Sequence, residues 1–284
     1  MGFSTDAIHV GQEPDPLTGS IVAPIYQTST YVLEEMGKDK GYDYARTNHP
    51  NRKALERTVA KLEGGHAAYV FTSGMAAIDA VFRLLRPGEH TILSQAVYGG
   101  VFRLTTKLLV DFGMEFSYVD TSCLKKIEEA IKPNTRMIYV ETPTNPTMIV
   151  TDLAAVGRIC KARNLTFVVD NTFLSPYLQR PIEFGADIVV HSMTKYLNGH
   201  SDCTGGAAIL TRPADAEKIY QDLVAHPSVF VSKPVALMAF ADHYRQAKNF
   251  GEAAKLYTQI KTEFPDSNLA QQAGQQLELI APKS

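Results

Sequence analysis

The sequence predicts an α/β protein built on a mostly parallel, seven-stranded sheet, and three observations carry that prediction. Between about residues 52 and 211, seven short β-rich runs alternate with helical patterns. The central runs are almost continuously apolar, which suits strands covered on both faces rather than on one. Several of the helical stretches around them end on glycine or proline, as helices commonly do.

Taken in order, the β-rich runs read AAYVFT, HTILSQ, EFSYVD, RMIYVET, LTFVVDN, ADIVVHS and GAAILT. The helical pattern RKALERTVAKLEGG precedes the first and stops on two glycines. AAIDAVFRLLRPG follows it, with Ile78, Val81, Phe82 and Leu85 at i, i+3, i+4 and i+7 before a Pro-Gly stop. SCLKKIEEAIKP is expected to start from Ser122 as its cap, and DLAAVGRICKARN from Thr151. The first 51 residues carry turn residues, tyrosines and apolar side chains without a sustained period, so they are expected to form an arm that packs on its own domain or on a second subunit.

Composition narrows the function classes. The 284 residues are 45% hydrophobic and 20% charged, which is globular rather than disordered. A net charge of −2 gives no basic footprint for nucleic acid or for a membrane surface. Cys123, Cys160 and Cys203 are too few and too scattered for a disulfide framework, and free thiols suit a reducing compartment. With no secretion signal and no membrane span legible, a cytoplasmic location is expected. His200, Asp202 and Cys203 mix three ligand types, but they read as a structural loop and no metal is expected. No G-x-G-x-x-G follows any strand, and no Walker A loop, H-E-x-x-H or G-x-S-x-G occurs.

The strand ends carry the chemistry. In open α/β sheets ligands bind outside the carboxyl ends of the strands. FVVDN ends in Asp170 and Asn171; YVETPTNP supplies Glu141 and Asn145; SQAVYGG supplies Tyr98 beside two glycines. FTSGM runs a strand through Ser73, Gly74 and Met75 straight into a helix whose first N–H groups form an anion seat. VVHSMTKYLNGHSDCTGG places Lys195 in a turn with Ser192 and Thr194 beside it. Each feature alone has a plain structural explanation as a cap, a packed ring or a surface lysine. Together they acquire distinct roles around one ligand, a phosphorylated, cationic ring aldehyde. Lys195 condenses with the aldehyde, and Asp170 faces the ring nitrogen and keeps it protonated. Tyr98 stacks on one ring face. Ser192, Thr194 and the N–H groups of Gly74 and Met75 hold the phosphate. That ligand is pyridoxal 5'-phosphate.

The segments HSMTKYLNGHSDCTGG, VVDNTF, ETPTNP, SGMAAI and YDYARTNHPNRKALE resemble the Cys/Met-metabolism family of pyridoxal-phosphate enzymes over about residues 5–211. Members include cystathionine γ-synthase and cystathionine γ-lyase. The resemblance implies a type I transferase fold, an amino-acid substrate and active sites shared across a homodimer, often within a homotetramer. It implies that Tyr44 and Arg46 reach the phosphate bound by a neighbouring subunit, and that Asn145 contacts the cofactor. The family's usual Asn-Pro-Thr reads His49-Pro50-Asn51 here. The implied reaction moves protons at Cα and Cβ through Lys195, with Tyr98 as a second acid/base, and eliminates or replaces a group at Cγ. In the family a second domain follows, with an arginine that grips the substrate carboxylate; after residue 226 the motifs fade and the only arginine is Arg245.

Another pattern begins there. With its proline on Pro265, a 34-residue helical repeat starts at Pro234 and puts Leu237, Phe240, Ala241, Tyr244, Ala253, Tyr257 and Ile260 at its apolar or small positions. Residues 234–284 therefore resemble one tetratricopeptide repeat with a following helix, or form a plain helical hairpin. The expected organisation is an arm over 1–51, a cofactor-binding α/β domain over 52–226 and the helical segment over 234–284. Three functional readings stand: a transsulfuration-type enzyme, a cofactor-binding relative without turnover, and an interaction module whose helical tail recruits a protein partner.

Overall fold

In a computed structural model of the chain, the structure describes residues 2–35, 38–211, 237–238, 241–242, 244–245, 249–265 and 268–280. These fall into two compact units, one holding 2–26 and 50–211 and the other holding 27–49 and the described residues from 237 onward. Residues 212–226 of the expected α/β domain, and Pro234 and Phe240 of the expected repeat, lie outside the described residues.

The first unit runs α1 (Phe3–His9), α2 (Pro50–Glu63), β1 (Ala67–Phe71), α3 (Gly74–Phe82), β2 (His90–Ser94), α4 (Gly99–Lys107), β3 (Glu115–Val119), α5 (Leu124–Ala130), β4 (Thr135–Glu141), α6 (Leu153–Arg163), β5 (Thr166–Asp170), α7 (Ser175–Leu178), β6 (Ile188–Ser192) and β7 (Gly206–Leu210). All seven strands fall on the seven β-rich runs. They form one sheet in the order β1-β7-β6-β5-β4-β2-β3. Every pairing from β3 across to β6 is parallel, while β7 runs antiparallel to both β6 and β1. The carboxyl ends of the other six strands therefore point to one side, which becomes the ligand side.

The apolar runs are continuous because both faces are covered: Ile138, Tyr139, Val140, Val168, Val169, Val189 and Val190 are fully buried. Two glycines permit close layers. A Cβ on Gly65 would overlap the Ile209 side chain, and one on Gly206 would overlap the Ser73 carbonyl, so α2 and the start of α3 sit tight against β7.

Both expected helix caps are displaced by one residue. Ser122 does not cap α5; its hydroxyl donates to Asp120 Oδ1 at 2.6 Å, and Cys123 occupies the cap position without a side-chain bond. Thr151 does not cap α6 either. Asp152 accepts from the Ala155 N–H at 2.9 Å, while the Thr151 hydroxyl is buried against that of Thr121 at 2.8 Å. Ser122 is drawn to a carboxylate and Thr151 to a buried hydroxyl, so neither is left to cap. The short helix α1 also lies within residues that show no helical period in the sequence.

In the second unit, α8 (Phe250–Glu263) and α9 (Asn268–Ile280) pack together. Asn249 caps α8 by accepting from the Glu252 N–H. Leu237, Ala241, Ala253, Tyr257 and Ile260 are buried in one apolar cluster with Tyr244 packed on it, so every described position of the expected repeat faces the same core. The Tyr257 hydroxyl donates to Asp242, and burial pushes that phenol well above its ordinary range. Among the described residues no helix is long and apolar enough to cross a membrane.

His90, at the start of β2, ties that strand to both of its neighbours. Its Nδ1 meets the Thr135 hydroxyl and its Nε2 the Ser117 hydroxyl, each at 2.8 Å. Burial, helped by the Lys132 charge, lowers its pKa to about 4. The unfolded chain takes up a proton near pH 6.5 and the folded chain resists it, so stability should fall as pH drops from about 6.5 to about 4. The melting temperature should decline over that window, with a loss on the order of 2 kcal/mol, and His90→Asn should flatten the decline.

Candidate active site

An open cavity of about 1160 Å³ lies at the carboxyl ends of the strands. Its wall includes Gly74, Met75, Tyr98, Asn145, Asp170, Ser192, Thr194 and Lys195, eight of the ten residues singled out in the sequence. Tyr44 and Arg46 belong to the other unit. There Arg46 donates to the Tyr44 hydroxyl at 3.3 Å, with its guanidinium carbon 5.4 Å from the ring centroid, and both side chains are exposed.

Asp170 ends β5 and is only 6% exposed. One oxygen accepts from the Thr172 N–H at 3.1 Å and hydroxyl at 2.6 Å; the other accepts from the Tyr139 hydroxyl at 3.0 Å. Tyr139 is fully buried, and burial together with the Asp170 charge raises its phenol pKa, so it remains a donor. The Thr172 hydroxyl in turn accepts from the Ser192 N–H at 2.9 Å, which couples the end of β5 to the end of β6. A tight turn follows β6: the Lys195 N–H donates to the Ser192 carbonyl at 3.1 Å, and Thr194 Oγ1 accepts from the Gly205 N–H at 3.1 Å. Lys195 is thereby presented to the cavity from a turn pinned at both ends, with its side chain exposed.

At the head of β1 the chain passes through Ser73, whose hydroxyl caps α3 by accepting from the Ala76 N–H at 3.2 Å. Gly74 must be glycine here, because a Cβ would stand 2.7 Å from the Ser192 Cβ. The start of α3 therefore lies directly against the β6 turn. Tyr98 precedes α4, and its ring lies over Gly100 and beside Met75, leaving no room for a side chain at position 100. It is 44% exposed and lines the cavity.

Some lining residues were not singled out in the sequence. Thr172 lines the cavity and holds Asp170, with the buried Tyr139 holding it from behind the wall, and Phe173 and Tyr196 form an aromatic pair with centroids 5.8 Å apart in the lining. The D-x-T spacing of Asp170 and Thr172 is a local side-chain-to-backbone turn signal that could have been read. Tyr139 gave no such signal, since it stands within an apolar strand. Glu141 was noticed as a strand end but given no role. It is 4% exposed and pairs in register with Asp170 across β4 and β5. Burial and the Asp170 charge push its pKa up to about 7, against the lowering effect of two backbone N–H bonds.

Comparison with known proteins places these features. The sequence model of the Cys/Met metabolism PLP-dependent enzyme family matches residues 4–260. The chain belongs to that family. Its match continues into α8, beyond residue 211 where the recognisable motifs end. The chain is 48% identical over 220 residues to a cystathionine gamma-lyase of Bacillus subtilis, covering 78% of this chain and 58% of the relative. It is 45% identical over 218 residues to a probable cystathionine gamma-synthase of Herpetosiphon aurantiacus, covering 77% of this chain and 68% of that one. Among the curated relatives it thus spans roughly half to two thirds of their length. The solved structure of metB from Corynebacterium glutamicum superposes with a TM-score of 0.76 at 42% identity, over 91% of this chain and 69% of that one. That of cystathionine gamma-lyase from Lactobacillus plantarum complexed with L-serine gives 0.76 at 40% identity, over 97% and 76%.

The family's cofactor is pyridoxal 5'-phosphate, and the cavity fits it. It offers an amine for the aldehyde, a carboxylate with both oxygens already fixed by donors, a half-exposed tyrosine ring, and hydroxyls beside a helix start that a Cβ would block. Gly74→Ala should therefore destabilise the chain by about 1–3 kcal/mol through overpacking and weaken cofactor uptake. Urea unfolding and equilibrium dialysis with pyridoxal 5'-phosphate would measure the two effects.

Proposed function

We propose that the chain is a pyridoxal-phosphate-dependent enzyme of the transsulfuration type, acting on sulfur amino acids by γ-replacement or γ-elimination. The single observation that carries this is the convergence of Lys195 and Asp170, from adjacent strand ends, on one cavity that also receives the start of α3. The names of the relatives, cystathionine gamma-lyase and gamma-synthase among them, support the choice of substrate class.

When bound, pyridoxal 5'-phosphate supplies an electron sink for negative charge developing at the substrate's Cα. Asp170 serves the ring nitrogen from a position fixed by Thr172 and Tyr139. The first N–H groups of α3, with Ser192 and Thr194, take the phosphate, and Asn145 steadies the ring edge. Tyr98 covers one ring face and excludes water from it. The Lys195 amine takes the proton at Cα, passes it on and takes a second at Cβ, whose electron pair lets the Cγ substituent leave; it reaches both carbons because its long stem stands on a rigid turn. Tyr98 acts as a second proton donor or acceptor for the departing group.

The functional form is a homo-oligomer, a dimer or a pair of dimers, in which Tyr44 and Arg46 of one copy serve the phosphate held by another. Their exposure supports this reading, as do the fully presented apolar side chains of Leu17 and Ile25, each 90% exposed.

Purified chain mixed with pyridoxal 5'-phosphate should gain a visible absorbance band, and borohydride reduction should fix the cofactor to the peptide containing Lys195. Lys195→Ala should abolish both. Cystathionine, homoserine esters or methionine should then release a thiol or ammonia from the loaded wild type. A wild-type chain that stays colourless and unlabelled after loading would overturn the reading.

A further inference from the structure

One carboxylate beside Asp170 remains without a role in the proposed chemistry. Glu141 ends β4, and its side chain turns into the wall of the cavity. Its Oε2 accepts from the backbone N–H of Tyr98 at 2.7 Å, and its Oε1 accepts from the backbone N–H of Asn145 at 2.8 Å. A single side chain thus bridges two separate segments, the turn that carries the stacking ring and the loop that carries Asn145. The bridge has a firm base. The Glu141 N–H donates to the Ser94 hydroxyl at 3.2 Å, and Ser94 is buried against Thr121.

We propose that Glu141 is a positioning residue that ties the Tyr98 and Asn145 segments together in the cavity wall, and that gain or loss of its carboxyl proton loosens or tightens that tie. This rests on the proposed cofactor chemistry, since Tyr98 and Asn145 matter only if they face the cofactor.

The chemistry of the two states differs. An ionised carboxylate offers lone pairs on both oxygens and accepts both N–H groups as charge-assisted bonds. A neutral carboxyl places a proton on one oxygen, which then accepts poorly and needs an acceptor of its own. Several groups set the balance. Asp170 on β5 stands beside Glu141 in register and disfavours a second negative charge. Tyr139, two residues earlier on β4, spends its hydroxyl on Asp170 rather than on Glu141. Tyr98 faces it from the start of α4, while Lys195, Asp202 and Cys203 face the same cavity from the loop after β6. The two N–H bonds favour the ionised form, and burial opposes it more strongly, so the proton is exchanged near neutrality. Asp170 and Glu141 thus divide the work: one is held by side-chain donors for the ring, the other holds the walls.

Amide hydrogen exchange of the full-length, cofactor-free chain tests the tie directly. Peptides containing Tyr98 and Asn145 should be about threefold to tenfold better protected at about pH 8.5 than at about pH 6, after correction for intrinsic exchange, as expected for a charge-assisted hydrogen bond. Glu141→Gln has one acceptor oxygen and mimics the proton-bearing state, so it should show the low protection at both pH values. Equilibrium dialysis should show the affinity for pyridoxal 5'-phosphate of the wild type pulling ahead of E141Q by a similar factor as pH rises. Equal protection and parallel affinity profiles in the two proteins would overturn the proposal. Should E141Q fail to fold, pH-indifferent protection of the two amides in the wild type alone would overturn it. Cofactor capture at Lys195 with pH-indifferent amides would defeat only the role of Glu141. Responsive amides without any cofactor capture would defeat the proposed function and this positioning role with it.

Discussion

Two acidic side chains stand in register at the carboxyl ends of neighbouring parallel strands, Glu141 on β4 and Asp170 on β5, both nearly excluded from water. Such a pair is unfavourable unless each oxygen finds a donor, because burial and mutual repulsion act together. The rest of the cavity can be understood as the set of donors that meets this demand. Thr172 and Tyr139 serve one carboxylate, and the backbone at Tyr98 and Asn145 serves the other. Satisfying the pair fixes the turn after β2, the loop after β4 and the turn after β5. Through Thr172 it also fixes the end of β6 from which Lys195 is presented.

Much of this could be read before any coordinates. The central strands were legible because parallel strands covered on both faces must be apolar along their whole length. Lys195, Asp170, Tyr98 and the Ser73-Gly74-Met75 junction were legible because each breaks an apolar run with a polar or small group at a strand end. What stayed hidden has physical causes. Asp152 rather than Thr151 caps α6 because a buried threonine pair, formed across distant segments, removes the obvious candidate. The role of Glu141 depends on which residue lies opposite in a neighbouring strand, and strand order is set by pairings that local periodicity does not encode. Tyr139 was silent for the same reason, since only its distance to Asp170 separates it from a packing residue.

The second unit shows the converse. Its described apolar positions were placed correctly by helical spacing, and they do form one core around Tyr257. Spacing of that kind fixes which face of a helix is covered, and any amphipathic pair satisfies it. The family match over residues 4–260 and the superposition over 97% of the chain extend across this region as well. Periodicity was therefore a sound guide to burial here, and burial alone does not separate a repeat from a plain hairpin.

The antiparallel strand β7 has a temporal consequence. It lies between β1 and β6, with Ala67 opposite Leu210, so the first strand to leave the ribosome has no sheet partner until the last has emerged. Gly206, at the start of that last strand, also fills the space behind the Ser73 carbonyl. The start of α3 is thus completed only when synthesis of this unit is nearly done. Such long-range closure makes assembly slow and leaves the nascent edge of β1 exposed in the meantime, a period during which chaperones would have most to protect.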